Sequence, residues 1–492
     1  MKKFIALFLA LVLVLTMGSF ASAEEKVVIS LYRCTYDTEH PDAAQAKKVE
    51  DAINAYIADK INVEIRLSDI LHGEYPEKAR MALEYKEVNL LWTAAWLATI
   101  GCNDLVPKNA VYDITDLLPG TALYASMEEG QWEATQYGGR NYFIPVYKDN
   151  VEGYDFMFRK ELVDKYGWDV TTVTKLEDLE PMLAEAAADD LKYPFLLQAT
   201  AMFYRLMMDR FDFFTGDASS NFVAVDREKG EVVNTIQTEE YRNYCKLMGR
   251  WAEEGYISED EANRMTNDNT PKTKDWAVSW WTDTPVNIEA NTRYGQEMVM
   301  QPATKRYSHS TSALGSCYAI SASSTEEQAK ACIDFMGLLY TDKYLADLYT
   351  FGIEGPDEDF EYTREEGQEI DHVTQHSEKY NHQMWNSASA TIVSPKNDEP
   401  DNKAELYRLF NGGAETSVAA GFRFDKSPVE SKYDACREVF ANYGFQLETG
   451  AIPEDAVEDY IAEYQDMLDA AGYQDVLKAF KKQFSDWLEA RK

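Results

Sequence analysis

Residues 26–33, KVVISLYR, begin an alternation of strand and helix signals that decides the fold. This segment is apolar and β-branched, and residues 41–60, PDAAQAKKVEDAINAYIADK, follow it with apolar side chains at a helical spacing. Residues 61–67, INVEIRL, then alternate as a half-buried strand does. A helix signal at 73–87 and a strand signal at 88–92 continue the series. The series predicts βαβ units and a largely parallel sheet, in which ligands bind outside the carboxyl ends of the strands.

The first 23 residues have the pattern of a secretory signal peptide. A basic start at Lys2 and Lys3 precedes an apolar run from 4 to 17, and the residues at 21–23, Ala-Ser-Ala, form a small-x-small cleavage site. The apolar run is shorter than a membrane-spanning helix. The first cysteine is Cys34, so no lipid-anchor cysteine follows the cleavage point. The sequence therefore predicts an exported, extracellular or periplasmic protein without a lipid anchor.

Length and charge restrict the classes of partner. About 470 residues remain after the leader, which is enough for two or three domains. The formal net charge of the 492-residue chain is −37, and a chain this acidic repels nucleic acid and anionic membranes. A hydrophobic content of 45% with 13% aromatic residues indicates a folded protein. We therefore expect no nucleic acid partner, whereas the charge says little about a neutral ligand.

The residues that usually carry catalysis or hold metals do not form a recognisable pattern. The six cysteines lie far apart without a CxxC pair, at positions 34, 102, 245, 317, 332 and 436. The densest histidines, at 372–382, and the acidic run at 396–402 lack the spacing of zinc or calcium sites. No nucleophile elbow, zincin, phosphate-loop or dinucleotide motif is present. We expect no catalytic residue, no metal and no cofactor. An exported chain could form a disulfide, but the sequence does not give the pairing.

Five segments together resemble one group of extracellular solute-binding proteins of bacterial ABC importers. Three of them lie near the C-terminus: GFRFDKSPVESK at 421–432, LETGAIPED at 447–455, and LDAAGYQDVLKAFKKQFSDWL at 468–488. The other two are LYTDKYLADLYTFGIEG at 339–355 and the segment at 90–119 that begins LLWTAAW. The resemblance is carried by their order and spacing and spans nearly the whole mature chain.

The resemblance implies a type II periplasmic-binding fold, with two α/β lobes joined by crossover strands and a helical C-terminal region. It also implies an oligosaccharide ligand, an ABC permease as partner, and a monomer. We expect the first lobe to comprise 24–147 and 302–385, and the second to comprise 148–301 and 386–492. The crossover strands near 145–150 and 300–305 would form the hinge.

A sugar offers apolar C–H faces and a rim of hydroxyls, which suit aromatic platforms and polar side chains. DWAVSWWTDT at 275–284 holds three tryptophans and two aspartates. As a strand it places Trp276 and Trp280 on one face and Trp281 on the other. Trp280, Trp281 and Asp283 then lie between strand end and helix start, where ligands bind. The alternative is that all three tryptophans fill the core, and Trp276 is the strongest core candidate.

Trp92 and Trp96 offer a platform on the first lobe, since they end the third predicted strand and begin the next turn. Of the two, Trp96 is favoured as the residue that faces the ligand, and the alternative is a buried aromatic pair under a loop. Trp385 follows a polar loop and precedes a possible crossover, so it could also face the cleft.

Three further residues are candidates by position alone. Arg33 and Tyr36 follow the first strand, where a loop facing the cleft is expected, although an ordinary surface pair fits equally. Tyr147 lies at the first crossover and could face either hinge or ligand.

Two other functions remain open at this point. With 85 acidic residues, some carboxylate pair will always mimic the dyad of a secreted glycoside hydrolase, so acid pairing does not discriminate. A binding protein for a peptide or another non-sugar solute is the second alternative.

Overall fold

A computed structural model describes residues 25–35, 43–97, 99–198, 202–213, 218–259, 261, 272–286, 289–357, 360–365, 370–376, 380 and 382–491. The predicted signal peptide and Tyr36 lie outside these residues. The strands are β1 Val27–Thr35, β2 Val63–Leu71, β3 Leu90–Thr93, β4 Phe143–Pro145, β5 Tyr154–Arg159, β6 Tyr193–Phe195, β7 Phe211–Asp212, β8 Val223–Asp226, β9 Glu231–Asn234, β10 Trp276–Thr282, β11 Met298–Pro302, β12 Tyr307–Ser308, β13 Cys317–Ile320, β14 Tyr362–Glu365, β15 His372–Gln375 and β16 Glu415–Thr416. The helices are α1 Ala43–Ile57, α2 Tyr75–Tyr85, α3 Cys102–Leu105, α4 Ala122–Ala125, α5 Glu129–Ala134, α6 Lys160–Tyr166, α7 Glu180–Ala188, α8 Phe203–Leu206, α9 Glu239–Glu253, α10 Glu289–Tyr294, α11 Glu326–Leu339, α12 Lys343–Phe351, α13 Lys403–Gly412, α14 Glu430–Val439, α15 Phe445–Glu448, α16 Val457–Ala470 and α17 Tyr473–Ala490.

The first sheet contains the segments that the sequence assigned to βαβ units. Its strand order is β2-β1-β3-β13-β4, with β1 parallel to both β2 and β3. Val27 pairs with Val63 and Leu31 with Leu90, so the predicted strands at 26–33, 61–67 and 88–92 are confirmed. β13 returns from much later in the chain and runs antiparallel between β3 and β4. The first residue of this late strand, Cys317, therefore lies beside Thr93 at the carboxyl end of β3.

The second sheet is built around the tryptophan strand. Its order is β11-β5-β10-β6, with β5 antiparallel to both β10 and β11, and β6 parallel to β10. A smaller three-stranded sheet, β7-β8-β9, lies in the same part of the chain. The helices from α14 to α17 pack on this region through Phe440, Tyr464 and Phe480. This second half is therefore an α/β unit with a helical C-terminal layer.

Two large hydrophobic clusters divide the chain. One combines residues from 29–147 and 314–393, and the other combines residues from 154–307 and 419–484. The chain passes between the clusters at 148–153, 308–313 and 394–418. These clusters describe side-chain packing and do not define which residues move together as a rigid lobe. The lobe boundaries given in the sequence analysis therefore stay a prediction.

The side chains of the tryptophan strand divide between two hydrophobic clusters. Trp276 shares a small cluster with Trp281, whereas Val278 and Trp280 contact the larger core of the second sheet. Tyr193, the parallel partner of Trp276 across β6, belongs to the same small cluster. Trp276, the strongest core candidate in the sequence, is thus fully buried, in one cluster with its neighbour across the sheet.

The cap of α11 lies one residue from its predicted place. The sequence favours Ser324 with Glu327, but Thr325 has the extended backbone of an N-cap and accepts the N–H of Gln328. The Gln328 side chain accepts the N–H of Thr325 in return, which completes a capping box. Among the described residues, no helix is both long and apolar enough to cross a membrane.

Candidate functional site

Three predicted tryptophans meet at the carboxyl end of β3. The Trp92 ring lies 5.7 Å from Trp96 and 5.7 Å from Trp385, edge to face in both cases, and Trp96 is 6.5 Å from Trp385. His72, which follows β2, joins the group 5.9 Å from Trp96. We call these four side chains the first-lobe aromatic group. Such edge-to-face contacts fix ring orientation as well as burying area.

The members of this group differ in exposure. Trp92 is fully buried, Trp385 is half-buried, and Trp96 is 41% exposed. Trp92 donates to the Ser316 hydroxyl at 2.8 Å, and Trp96 donates to the Gly315 carbonyl at 2.8 Å. Trp92 thus forms the base of the group, and Trp96 presents an indole to solvent with its N–H already bonded. An exposed, oriented indole is the kind of surface that a sugar ring stacks on.

Arg33 is buried within β1 rather than exposed in a loop. It donates two hydrogen bonds to Asp69, at 2.7 and 2.9 Å, and a third to the Tyr380 hydroxyl at 2.8 Å. His382 contacts the same carboxylate at 3.1 Å. Burial alone would raise the pKa of Asp69, but Arg33 and His382 outweigh it and hold that pKa below its usual range. Arg33 therefore acts here as part of a buried ion pair.

This buried network positions Trp385. Tyr380 and His382 belong to the segment that leads into Trp385, and both are bonded to the ends of β1 and β2 through Arg33 and Asp69. One step further, the Asn386 amide donates to the Cys34 carbonyl at 3.0 Å. A segment more than 300 residues away in sequence is thus tied to the carboxyl ends of the first two strands.

In the second lobe, Trp280 is the tryptophan that remains half-buried at a strand end. Its indole N–H donates to the Leu197 carbonyl at 3.1 Å, and the Arg205 guanidinium lies 4.2 Å from its ring centre. Tyr154 packs edge-on at 6.1 Å. A cation against one indole face fixes the ring and leaves it rigid for a contact on its other side.

Gln198 holds this region in a constrained backbone conformation. Its φ is +57°, in the left-handed region that a residue other than glycine rarely adopts. The side-chain amide donates to the Ser279 hydroxyl at 2.9 Å and to the Trp280 carbonyl at 3.1 Å, and it accepts from Tyr294 at 3.1 Å. These bonds stabilise the strained turn at the end of β6 against β10.

The remaining predicted residues lie elsewhere. Trp281 is 8% exposed and packs against Tyr294 in the small cluster. Asp283 is buried and binds Arg306 through both carboxylate oxygens. Its negative charge and, above all, burial raise the pKa of Asp155 to about 7.

Tyr147 is also buried, with its hydroxyl 3.4 Å from Glu128. Its carbonyl accepts from Ala390 at 2.7 Å, so the backbone of the first crossover is fixed there. Burial and the Glu128 carboxylate raise the pKa of Tyr147 to about 12. Tyr36 lies outside the described residues.

The sequence interpretation missed His72, Gln198 and Arg205. Only position in the chain could have indicated the first two, since His72 follows β2 and Gln198 follows β6, at the ends where ligands gather. Nothing local distinguishes Arg205 from other surface arginines. Among the described residues, no group of three or more histidine, cysteine or acidic side chains is arranged to hold a metal ion.

Known proteins resemble both the sequence and the fold. Residues 418–489 match a family model described as a domain of unknown function, DUF3502. A carbohydrate ABC transporter substrate-binding protein of Streptococcus pneumoniae is 22% identical over 481 residues, which cover 96% of this chain and 93% of that protein.

Solved structures agree with this result. The crystal structure of an N-glycan transport solute binding protein (NgtS) from Streptococcus pneumoniae superposes with a TM-score of 0.81 at 23% identity, over 95% of this chain and all of that one. Its complex with Man5GlcNAc gives a TM-score of 0.72 at 23% identity over the same shares. The resemblance predicted from the sequence is confirmed, and the chain has the two-lobed α/β fold of the ABC-transporter solute-binding proteins.

Proposed function

We propose that this chain is the exported substrate-binding protein of an ABC importer and that it captures an oligosaccharide between its two lobes. The observation that carries this proposal is the first-lobe aromatic group, in which Trp96 presents 41% of its surface at a strand end while Trp92 and Trp385 hold it in place. The matched carbohydrate-binding relative supports the same ligand class. The predicted signal peptide supports export.

Capture would proceed by closure about the crossovers. Glu152, in the crossover at 148–153, exchanges a pair of backbone hydrogen bonds at 3.0 and 2.8 Å with Tyr307, which directly precedes the crossover at 308–313. His309, in that second crossover, binds the Glu152 carboxylate at 2.5 Å. Burial would raise the pKa of Glu152, but His309 reverses this and lowers it to about 2. The two crossovers therefore stay joined while the lobes rotate about them. A ligand that contacts both lobes favours the closed state by its differential affinity for that state.

The composition of the candidate site favours neutral sugars over charged solutes. The first-lobe aromatic group offers indole surface, and the two charges of Arg33 and Asp69, on the paired strands β1 and β2, are buried and form an ion pair with each other. A peptide would require partners for its backbone amides and termini, whereas a sugar face requires a flat apolar surface. The aromatic surface is the feature that the described residues supply.

The test is thermal unfolding of the purified mature protein with a panel of mannosides, N-glycans, xylosides, glucosides, peptides and amino acids. A ligand at 100 times its dissociation constant stabilises by about 2.7 kcal/mol, which gives a measurable shift. We expect a shift with one oligosaccharide class and recovery of that sugar intact after prolonged incubation. A shift with peptides alone would replace the ligand class, and recovery of cleaved sugar would indicate the glycoside hydrolase alternative.

A further inference from the structure

Two of the six cysteines face each other inside the first lobe. The Sγ atoms of Cys102 and Cys317 lie 3.4 Å apart, although the residues are 215 positions apart in the chain. Both side chains are fully buried. The other four cysteines are also buried, and among the described residues none of them shows a comparable sulfur contact.

The two sulfurs connect the elements that hold Trp96. Cys102 begins α3, directly after the turn that carries Trp96, and Cys317 begins β13, where it pairs with Thr93 at the end of β3. Between them, Ala95 donates to the Leu314 carbonyl at 2.8 Å and Trp96 donates to Gly315 at 2.8 Å. We call these contacts between the turn of Trp96 and the chain leading into β13 the seam. The sulfur contact lies at the end of this seam, which fixes the turn to β13.

This seam is tightly packed. A Cβ on Gly101, the residue before Cys102, would lie 2.5 Å from the Leu97 carbonyl oxygen, so only glycine fits the turn. The Thr93 hydroxyl donates to the Ile100 carbonyl at 2.6 Å on the other side of the turn. Close packing from both sides keeps the two sulfurs facing each other once the lobe has folded.

We propose that Cys102 and Cys317 form a disulfide in the mature protein, and that this bond covalently links the turn that presents Trp96 to β13. Both thiols are oxidised as their sulfurs bond. A disulfide donor such as oxidised glutathione or a thiol–disulfide oxidoreductase accepts the two electrons and two protons and is released as two thiols. The inference rests on the export in the proposed function, since such bonds persist in oxidising compartments.

The bond forms while the lobe is folding rather than afterwards. Burial, and then the neighbouring Cys102, raise the pKa of the Cys317 thiol well above its usual value, and the thiolate is the species that attacks a disulfide. In the unfolded chain both thiols are accessible and ionise normally. Closure of so long a loop restricts the unfolded chain strongly, which is how a disulfide stabilises the native state.

Thiol counting tests the proposal without depending on export or on sugar binding. The mature chain is refolded in a glutathione redox buffer, denatured, alkylated with and without prior reduction, and weighed by mass spectrometry. We expect four adducts without reduction and six after it, because the chain has six cysteines. Six adducts without reduction would overturn the proposal, and such a protein could still bind sugar. Absence of sugar binding with four adducts would overturn the proposed function alone.

Two alanine variants assign the pair, because each removes one buried cysteine from the same core. Cys102→Ala should give five adducts both before and after reduction, whereas Cys332→Ala should give three before and five after. Cys332 lies in α11 in the same hydrophobic cluster. Equal counts in the two variants would overturn the assignment of this pair. Reduction should lower the thermal midpoint by about 5 °C or more in the wild type and in Cys332→Ala, but not in Cys102→Ala.

Discussion

Replacement of Trp96 by alanine gives the sharpest test of the candidate site. A tryptophan has about 250 Å² of accessible surface, so the 41% exposed fraction of Trp96 is about 100 Å². If a bound sugar covered all of it, about 25 cal/mol per Å² would give about 2.5 kcal/mol as a ceiling. A pyranose covers one ring face, roughly half of this area, so the expected loss is about tenfold in Kd.

The assay is isothermal titration calorimetry with the oligosaccharide that gives the largest thermal shift. Trp168→Ala is the matched control. Trp168 is also half-buried, but it follows α6, stacks on Tyr166 at 5.1 Å and donates to Glu185 at 2.6 Å, away from both tryptophan sites. Kd should remain within about twofold of wild type in this control. An unchanged Kd in Trp96→Ala, with an unchanged circular dichroism spectrum, would refute the platform assignment.

Three further predictions follow from burial and charge. Trp281→Ala should destabilise the fold by about 3–5 kcal/mol in urea unfolding, because it leaves a cavity in a packed cluster. Trp280→Ala should instead weaken sugar binding about tenfold with a smaller loss of stability. The reverse pattern would make Trp281 the binding residue and Trp280 the core residue. Asp69→Asn should lower the free energy of unfolding by about 3–5 kcal/mol because it leaves Arg33 buried without its ion-pair partner. Since the pKa of Asp69 is lower in the folded state than in the unfolded chain, wild-type stability should fall as pH drops below about 4. A variant as stable as wild type at pH 7 would contradict this prediction. Burial raises the pKa of Glu448 to about 8 in the folded state, so its contribution to stability is complete below its unfolded pKa and is lost as pH rises toward 8. Glu448→Gln should therefore remove on the order of 3 kcal/mol of the pH dependence of the unfolding free energy between pH 5 and 8. Parallel pH profiles of unfolding for variant and wild type would contradict this prediction.

The sheet of the first lobe could be predicted because its signals are local. The strands at 26–33, 61–67 and 88–92 each show their own periodicity, and the helix between the first two is amphipathic. The placement of β13 beside β3 could not be read locally, since more than 200 residues separate the two strands. Only the resemblance to a known family gave the two-lobed arrangement.

The environment of the candidate residues was harder to predict than their location. Trp92 and Trp96 were expected at a strand end and lie there, and Trp96, the member that the sequence favoured as ligand-facing, is the exposed one. Arg33 was expected in an exposed loop, yet its partners are Asp69, 36 residues away, and Tyr380, 347 residues away. Such a network depends on contacts between segments that no local pattern relates.

Both lobes place a strained residue beside the tryptophan that each presents. Thr99 follows Trp96 with a φ of +65°, and Gln198, which binds the carbonyl of Trp280, has a φ of +57°. A residue other than glycine in this conformation costs on the order of 1 kcal/mol, and it persists only where the surrounding contacts determine it. Glycine would remove that cost and also allow the turn to move. In the proposed binding mode, a strained but fixed turn beside each tryptophan would lower the ordering entropy that a ligand must overcome on binding. The backbone beside Trp96 and the backbone beside Trp280 are each held in place, as the proposed capture of a rigid sugar ring requires.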